Sequence, residues 1–200
     1  TDGREVSTFG PAETISYRPE TRTRVLEAAA KKGTDREAWP NLARAVTEDH
    51  AEAIGAFLGK HGLVPDAVVF HGQTVWHDPD KGETVQLGDP QQLADILKVL
   101  VIGDVRLADM AAGGRGAPLV PVYHQAVARS LVGFRHEPIC FLNIGGVSNL
   151  TFIDGDTLHA FDIGPGNALL DDWIRRHGAG VYDASGQISA KGRVSEDRLA

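Results

Sequence analysis

Two hundred residues, 42% hydrophobic and 24% charged, are enough for one good globular domain or two small lobes. A net charge of −7 argues against a binder of nucleic-acid phosphate backbones, which needs a basic face, yet leaves room for a small anion held by local loops. No apolar run reaches the roughly 18 residues of a membrane span, the opening T-D-G-R-E-V lacks a signal-peptide pattern, and the single Cys140, in the apolar run Ile139–Leu142, reads as a buried structural thiol in a reducing compartment.

Arg4–Tyr17 alternates weakly and reads as strand. Pro19–Lys31 is predicted helical, with Val25, Leu26 and Ala29 on one face. Asn41–Lys60 is a stronger helix: Leu42, Ala45, Val46, Ala53, Ile54 and Phe57 recur at three- and four-residue spacing, and Gly62 is a stop signal. Ala67–Phe70 is a short β-rich run that leads into H-G-Q-T. Asp89-Pro90-Gln91-Gln92 carries three agreeing helix-start signals: a capping Asp89, Pro90 at the first helical position, and Gln92 to complete a capping box. Val99–Ile102 is a second buried strand and Val122–Leu131 a helix. Cys140–Ile144, Asn149–Ile153 and Leu158–Ile163 are three short strands with tight turns. Asn167–Arg176 is a helix capped by Asn167 and ended near Gly178. Strands alternating with helices predict an α/β architecture. The stretches Gly113–Pro121 and Val132–Pro138 bracket the boundary between two lobes. The turn signal Asp2-Gly3 at the start and the charged run S-E-D-R-L-A at the end read as an internal piece of a longer protein.

Four loops carry residues suited to chemistry. Phe70-His71-Gly72-Gln73 follows a strand, where ligands of open α/β sheets sit; Gly72 permits close approach, and His71 and Gln73 bring donors and acceptors for hydroxyls or amides. A polar turn with a satisfied histidine is the competing reading. His71, His77 and His124 show no metal-ligand spacing. Gly103–Leu119 sets Asp104 and Asp109, with Arg106 between them, ahead of a glycine-rich turn. Asp109 is the candidate general base, against the alternative of a solvated helix end. Asp104 reads equally as a second carboxylate of the site wall or as a purely structural group, a helix N-cap or an ion-pair partner of Arg106. Asn143-Ile144-Gly145-Gly146-Val147-Ser148-Asn149 is either a plain Gly-Gly hairpin or an anion cradle flanked by Asn143 and Asn149. Asp162-Ile163-Gly164-Pro165-Gly166-Asn167 runs from strand into helix, whose N-terminus suits phosphate, while Asp162 sits where a carboxylate can hold magnesium. Two such loops roughly 20 residues apart point to nucleotide phosphates, although no G-x-x-x-x-G-K-[ST] or G-x-G-x-x-G is present.

Taken together, H-G-Q-T-V-W-H at 71–77, L-G-D-P-Q-Q-L-A at 87–94, D-V-R-L-A-D-M-A-A-G-G-R-G-A-P-L at 104–119, L-N-I-G-G-V-S-N-L-T at 142–151 and F-D-I-G-P-G-N-A-L-L-D-D-W at 161–173 resemble the anhydro-N-acetylmuramic acid kinase family, over nearly the whole chain. The resemblance implies a two-lobed, actin-like (ribonuclease H-like) α/β fold of the hexokinase and Hsp70 class, incomplete here at both ends. It places residues 1–135 in most of a first, sugar-side lobe and 136–200 at the start of a nucleotide-side lobe. The implied reaction opens the anhydro bridge of 1,6-anhydro-N-acetylmuramic acid with water and phosphorylates O6, giving N-acetylmuramic acid 6-phosphate and ADP in peptidoglycan recycling, with ATP and Mg2+ as cofactors.

By the same resemblance Asp109 is the base that activates water, and His71, Gly72, Gln73 and Arg106 bind the amino sugar. Asn143, Gly145, Gly146, Asn149, Gly164, Pro165, Gly166 and Asn167 face the nucleotide, and Asp162 takes the metal. The partners implied are the sugar and ATP, with no nucleic acid and no membrane, in a cytoplasmic protein that forms a homodimer. The family's Gly-Thr-Ser-x-Asp-Gly phosphate loop is not found, so the chain by itself is expected to be catalytically incompetent; Ile163 stands where the family has Thr, and Val105 where it has Phe. Competing expectations are a non-catalytic sugar or nucleotide sensor on the same fold, an actin-like assembly module, and a glycoside hydrolase using Asp104 and Asp109. The water-activating carboxylate argues against the sensor, and the phosphate-type loops argue against the hydrolase.

Overall fold

The computed structural model describes residues 5–31, 39–131, 138–195 and 197. Its elements are α1 (Pro19–Ala30), α2 (Trp39–His61), β1 (Ala67–Val69), β2 (Gln73–Asp78), β3 (Glu83–Leu87), α3 (Pro90–Leu97), β4 (Leu100–Ile102), α4 (Val105–Ala111), α5 (Val120–Ser130), β5 (Ile139–Ile144), β6 (Val147–Asp154), β7 (Thr157–Pro165) and α6 (Ala168–Arg176). The mixed α/β class is as expected. The chain forms two compact units, Thr8–Leu119 and Thr1–Ser7 with Val120–Ala200. The division at Leu119/Val120 lies ahead of the 135/136 boundary expected from the sequence. It gives α5, placed by the sequence reading in the segment 1–135, to the second unit, because α5 packs on β6 and β7.

In the 8–119 unit, β1 and β4 pair in parallel, and β2 and β3 form an antiparallel hairpin between them in sequence. Parallel neighbours need a crossover; here the hairpin and α3 supply it. One apolar cluster joins Val25 and Ala28 of α1, Leu42 and Val46 of α2, Val75 and Leu87. A second joins Ala51, Phe70 and Leu93, with Ile54, Leu97 and Val101 packed against it. Leu93 is fully buried, which by apolar area stabilises the unit by about 1.5–3 kcal/mol.

The start of α3 forms as the sequence signals predict. Asp89 accepts from Gln92 N–H at 3.0 Å, and Pro90 opens the helix. The capping box is only half formed: the Asp89 N–H that Gln92 was expected to take donates instead to Thr47 Oγ1 of α2 at 2.9 Å. Tertiary packing thus replaces a local bond.

Other local expectations change for similar reasons. The strands expected over Arg4–Tyr17 are not seen over residues 5–17, which run without regular structure. Part of this segment is tied by side chains to α2: Glu13 to Lys60 and His61, and Arg18 just beyond it to Asp49. On α1 the inward face is Thr21, Val25 and Ala28, not Leu26 and Ala29, which are exposed. β4 is not a buried strand, since Leu100 and Ile102 are exposed; in a two-stranded sheet only one face is covered, and Val101 occupies it.

In the other unit β5, β6 and β7 form an antiparallel meander. His124 of α5 stacks on Phe141 at 4.6 Å and its Nδ1 lies 3.0 Å from Thr151 Oγ1. Strand alternation turns Cys140 to the opposite side of β5 from Phe141, so the thiol expected to be buried is exposed. Asn167 precedes α6 but makes no side-chain cap. Gly178 ends the helix region at φ 66° as expected.

Candidate functional site

The parallel pairing of β1 and β4 brings two of the predicted loops to one sheet edge. Phe70 N–H donates to Ile102 C=O at 2.9 Å, so His71-Gly72-Gln73 and Gly103-Asp104 leave the carboxyl ends of neighbouring strands, the position where α/β sheets bind ligands. Both glycines are required by contact. Gly72 has φ +68°, and a Cβ there would lie 2.5 Å from the Leu87 carbonyl oxygen; one on Gly103 would enter the Pro90 ring. His71 is exposed at this edge. Gln73 is oriented from behind, as its Oε1 accepts from Tyr17 O–H at 3.2 Å and its Nε2 donates to the Thr74 carbonyl at 3.2 Å. Burial, and secondarily the Asp49 charge, push the Tyr17 phenol up to about 12, so it is a donor at neutral pH. Tyr17 lies far from any loop motif and carried no local signal.

Asp109 sits in α4 with Arg106 one turn earlier. It is not a solvated helix end: Gly116 N–H donates to Asp109 Oδ2 at 2.7 Å, and Gly116 is buried. The carboxylate lies against Gly114 so closely that a methyl there would overlap it, while one on Gly116 would come within 2.9 Å of the Met110 side chain. The A-G-G-R-G run is therefore a seat for this carboxylate. Asp104 takes the N-cap position of α4 in a left-handed conformation, φ 55°, without a side-chain capping bond. Burial lowers the pKa of Arg106 from its ordinary value. Its charge, with that of Arg115, adds to burial in holding His77 of β2 below the usual imidazole range.

The two glycine-rich loops of the other unit meet. Gly166 N–H donates to Gly146 C=O at 2.9 Å, Asn167 N–H to Gly145 C=O at 2.6 Å, and Asn167 Nδ2 to Ile144 C=O at 3.0 Å. A Cβ on Gly166 would collide with the Gly145 carbonyl and lie 2.9 Å from Ser148 Oγ. Asn167 thus clamps one loop to the other instead of capping α6. The amides of Gly166, Asn167 and Ala168 are engaged with these carbonyls, so three donors at the start of α6 are already taken. Register supplies what spacing did not. Asn143 pairs with Asn149 and Asn149 with Asp162, so two carboxamides and a carboxylate form one row across β5, β6 and β7. Asp162 is exposed at the end of this row, and Gly164 and Pro165 close β7 beside Ser148 and Val147. Among the described residues no group of three or more His, Cys, Asp or Glu is placed to hold a metal ion, and no helix is long and apolar enough to cross a membrane.

A family model described as anhydro-N-acetylmuramic acid kinase matches residues 8–200. A protein of that name from Bradyrhizobium diazoefficiens is 47% identical over 210 residues, covering 100% of this chain and 57% of the relative. One from Rhodopseudomonas palustris is 48% identical over 210 residues with the same coverage, and one from Rhodospirillum rubrum is 45% identical over 197 residues, covering 97% of this chain and 52% of its own length. The chain spans little more than half the length of these curated relatives.

Proposed function

Since the chain belongs to the anhydro-N-acetylmuramic acid kinase family, we propose that its protein is an ATP-dependent kinase that opens 1,6-anhydro-N-acetylmuramic acid with water and phosphorylates O6, releasing N-acetylmuramic acid 6-phosphate and ADP. The observation that carries the reading is the seated Asp109: a half-buried carboxylate fixed by the Gly116 amide on a glycine bed. A base that takes a proton from water must be held in place while it does so.

In this reading Asp109 accepts the proton of the water that attacks the anomeric carbon. His71 and Gln73 hydrogen-bond sugar hydroxyls or the acetamido group, Gly72 admits the sugar close to the backbone, and Arg106 adds a cation on the Asp109 helix. Asn143, Gly145, Gly146, Asn149, Gly164, Pro165, Gly166 and Asn167 line the nucleotide side. The row Asn143–Asn149–Asp162 offers hard oxygen donors with a single carboxylate, which fits a magnesium ion that keeps most of its waters and otherwise binds phosphate oxygens; Asp162 would hold it. Bound there, the ion would neutralise charge on the phosphates. The two α/β units support the proposal of a two-lobed actin-like architecture, the first sugar-side and the second nucleotide-side. A homodimer and a cytoplasmic location belong to the same proposal.

The test is ADP release by the protein at the full length of its relatives. Turnover with 1,6-anhydro-N-acetylmuramic acid, absent with N-acetylmuramic acid and N-acetylglucosamine and lost in Asp109→Asn, is the expected result. Equal use of all three sugars would refute the ring-opening role, and binding without turnover would refute the kinase.

A further inference from the structure

Residues 6–18 run without regular structure up to the start of α1, so neither a helix nor a strand ladder fixes Tyr17, whose phenol reaches the sugar loop. Side chains of α2 hold the segment instead. Glu13 is gripped by Lys60 at 2.9 Å and His61 at 2.6 Å, at the C-terminal end of α2. Arg18 is gripped by Asp49, in the middle of the same helix. Between these two pins the packing is open. Clefts of about 140 and 190 Å³ lie between the segment and α2, both lined by Ile15, Ser16, Asp49 and Ala53. A well-packed segment would leave no such gaps, so the pins, more than packing, decide where Tyr17 stands.

The two pins are unequal. Glu13, Lys60 and His61 are in reach of water, where such pairs contribute little. Asp49 is buried, and Arg18 takes both of its oxygens: Oδ2 accepts the backbone N–H at 3.0 Å and Oδ1 accepts from the guanidinium. A buried carboxylate is costly to leave unpaired, which makes this pin the firm one. The Arg18 N–H shares a planar peptide with the Tyr17 carbonyl, so fixing it fixes the backbone from which the Tyr17 side chain leaves.

That side chain has two neighbours to meet. Its ring lies edge-on to His50 at 5.4 Å. His50 is itself fixed: its Nδ1 is 2.8 Å from the Val46 carbonyl, which can only accept, and its ring lies edge-on to Phe70, the residue before His71, at 4.9 Å. The phenol O–H donates to Gln73 Oε1 at 3.2 Å. The Thr74 carbonyl can only accept, so Gln73 Nε2 stands on that side, at 3.2 Å. These two bonds give the Gln73 carboxamide one orientation, and without the phenol a single bond is left to keep it.

We propose that Asp49 is a positioning residue for the sugar loop, holding through Arg18 the peptide that aims Tyr17 at the Gln73 carboxamide. The proposal rests on the reading of Gln73 as a sugar-binding residue. Asp49 acts through Tyr17, so its removal weakens the hold on the sugar and leaves the hold on ATP as it was.

The test uses the protein at the full length of its relatives. Asp49→Leu is expected to raise KM for the sugar about fivefold, the worth of one hydrogen bond, with KM for ATP within about twofold. Asp49→Asn, whose carbonyl still accepts the Arg18 N–H, is expected to bring KM for the sugar back to within about twofold of the parent. In a Tyr17→Phe background Asp49→Leu is expected to add nothing, since both changes break the same line. A merely structural role would lower the active fraction, and with it kcat, and leave both KM values alone. An unchanged KM for the sugar, an equal rise for ATP, or additive effects in the double variant would overturn the proposal. If Asp49→Leu does not fold, Asp49→Ser, polar and too short to take the Arg18 N–H, is read in the same way. A parent that turns over no sugar refutes the kinase reading. The pin is then judged by hydrogen exchange of the Gln73 side-chain amide in spectra with labelled glutamine: faster exchange in Asp49→Leu is expected, and an unchanged rate would overturn the proposal by itself.

Discussion

Replacing Gly114 by alanine probes the seat of Asp109 directly. The added methyl would overlap the carboxylate, and Gly114 does not adopt a left-handed φ, so the penalty is one of contact and not of backbone strain. Moving the carboxylate aside gives up its bond to Gly116 N–H, which for a charged acceptor is worth about 1.5–3 kcal/mol. The stiffer unfolded chain returns about 0.4–1 kcal/mol, leaving a net loss of roughly 1–2 kcal/mol. A displacement of about 1 Å at a reacting group lowers turnover on the order of a hundredfold. The neighbouring Gly113 is the control, with φ +92° and open space around it. Alanine there costs about 1–2 kcal/mol in backbone strain and leaves Asp109 untouched. Urea unfolding is expected to rank the two variants together, while steady-state ADP release separates them by about a hundredfold. A Gly114→Ala enzyme with parental kcat, or a Gly113→Ala enzyme that loses as much, would show that the glycine bed does not set the position of the base.

Three further outcomes are expected. Leu93→Ala empties a fully buried site against Ala51 and Phe70 and should destabilise by about 2–5 kcal/mol in urea unfolding; a loss under about 1 kcal/mol would mean that this cluster is not closely packed. Tyr17→Phe should remove an ionisation step at about 12 from the ultraviolet pH titration and raise KM for the sugar through the freed Gln73 amide, and an unchanged KM would sever Tyr17 from the loop. His77 and His124 both have lowered pKa values, chiefly through burial. The unfolded imidazoles take up protons first, near pH 6.5, so the stability from these groups is present above that pH and is lost as pH falls through the lowered folded values. Thermal midpoints should therefore drop on acidification below about 6.5, less steeply in His124→Phe; equal slopes would remove His124 from this account.

What was legible in the sequence is what neighbours along the chain decide. Asp89-Pro90 opens α3, Gly62 follows the end of α2 with φ 61°, and the three-strand run after Pro138 forms the meander, because caps, backbone freedom and side-chain alternation act within a few residues. The glycines of the candidate site were legible as glycines, but the reasons for them were not: Gly72 faces the Leu87 carbonyl, Gly103 faces Pro90, and Gly114 faces Asp109. The spacing predicts Gln92 as half of a capping box, and Thr47, on a helix 42 residues from Asp89, takes the Asp89 N–H instead. The sequence predicts Asn167 as a cap, and in the fold it clamps Ile144 instead. Tyr17 has no local pattern to mark it, since it acts across 56 residues on Gln73. The sequence by itself determined the elements, the loop chemistry and the family resemblance, since each rests on residue types at short spacing. The tertiary structure alone decided which donor meets which acceptor, because a hydrogen bond depends on angstrom-scale placement of groups that the chain brings together only when it folds.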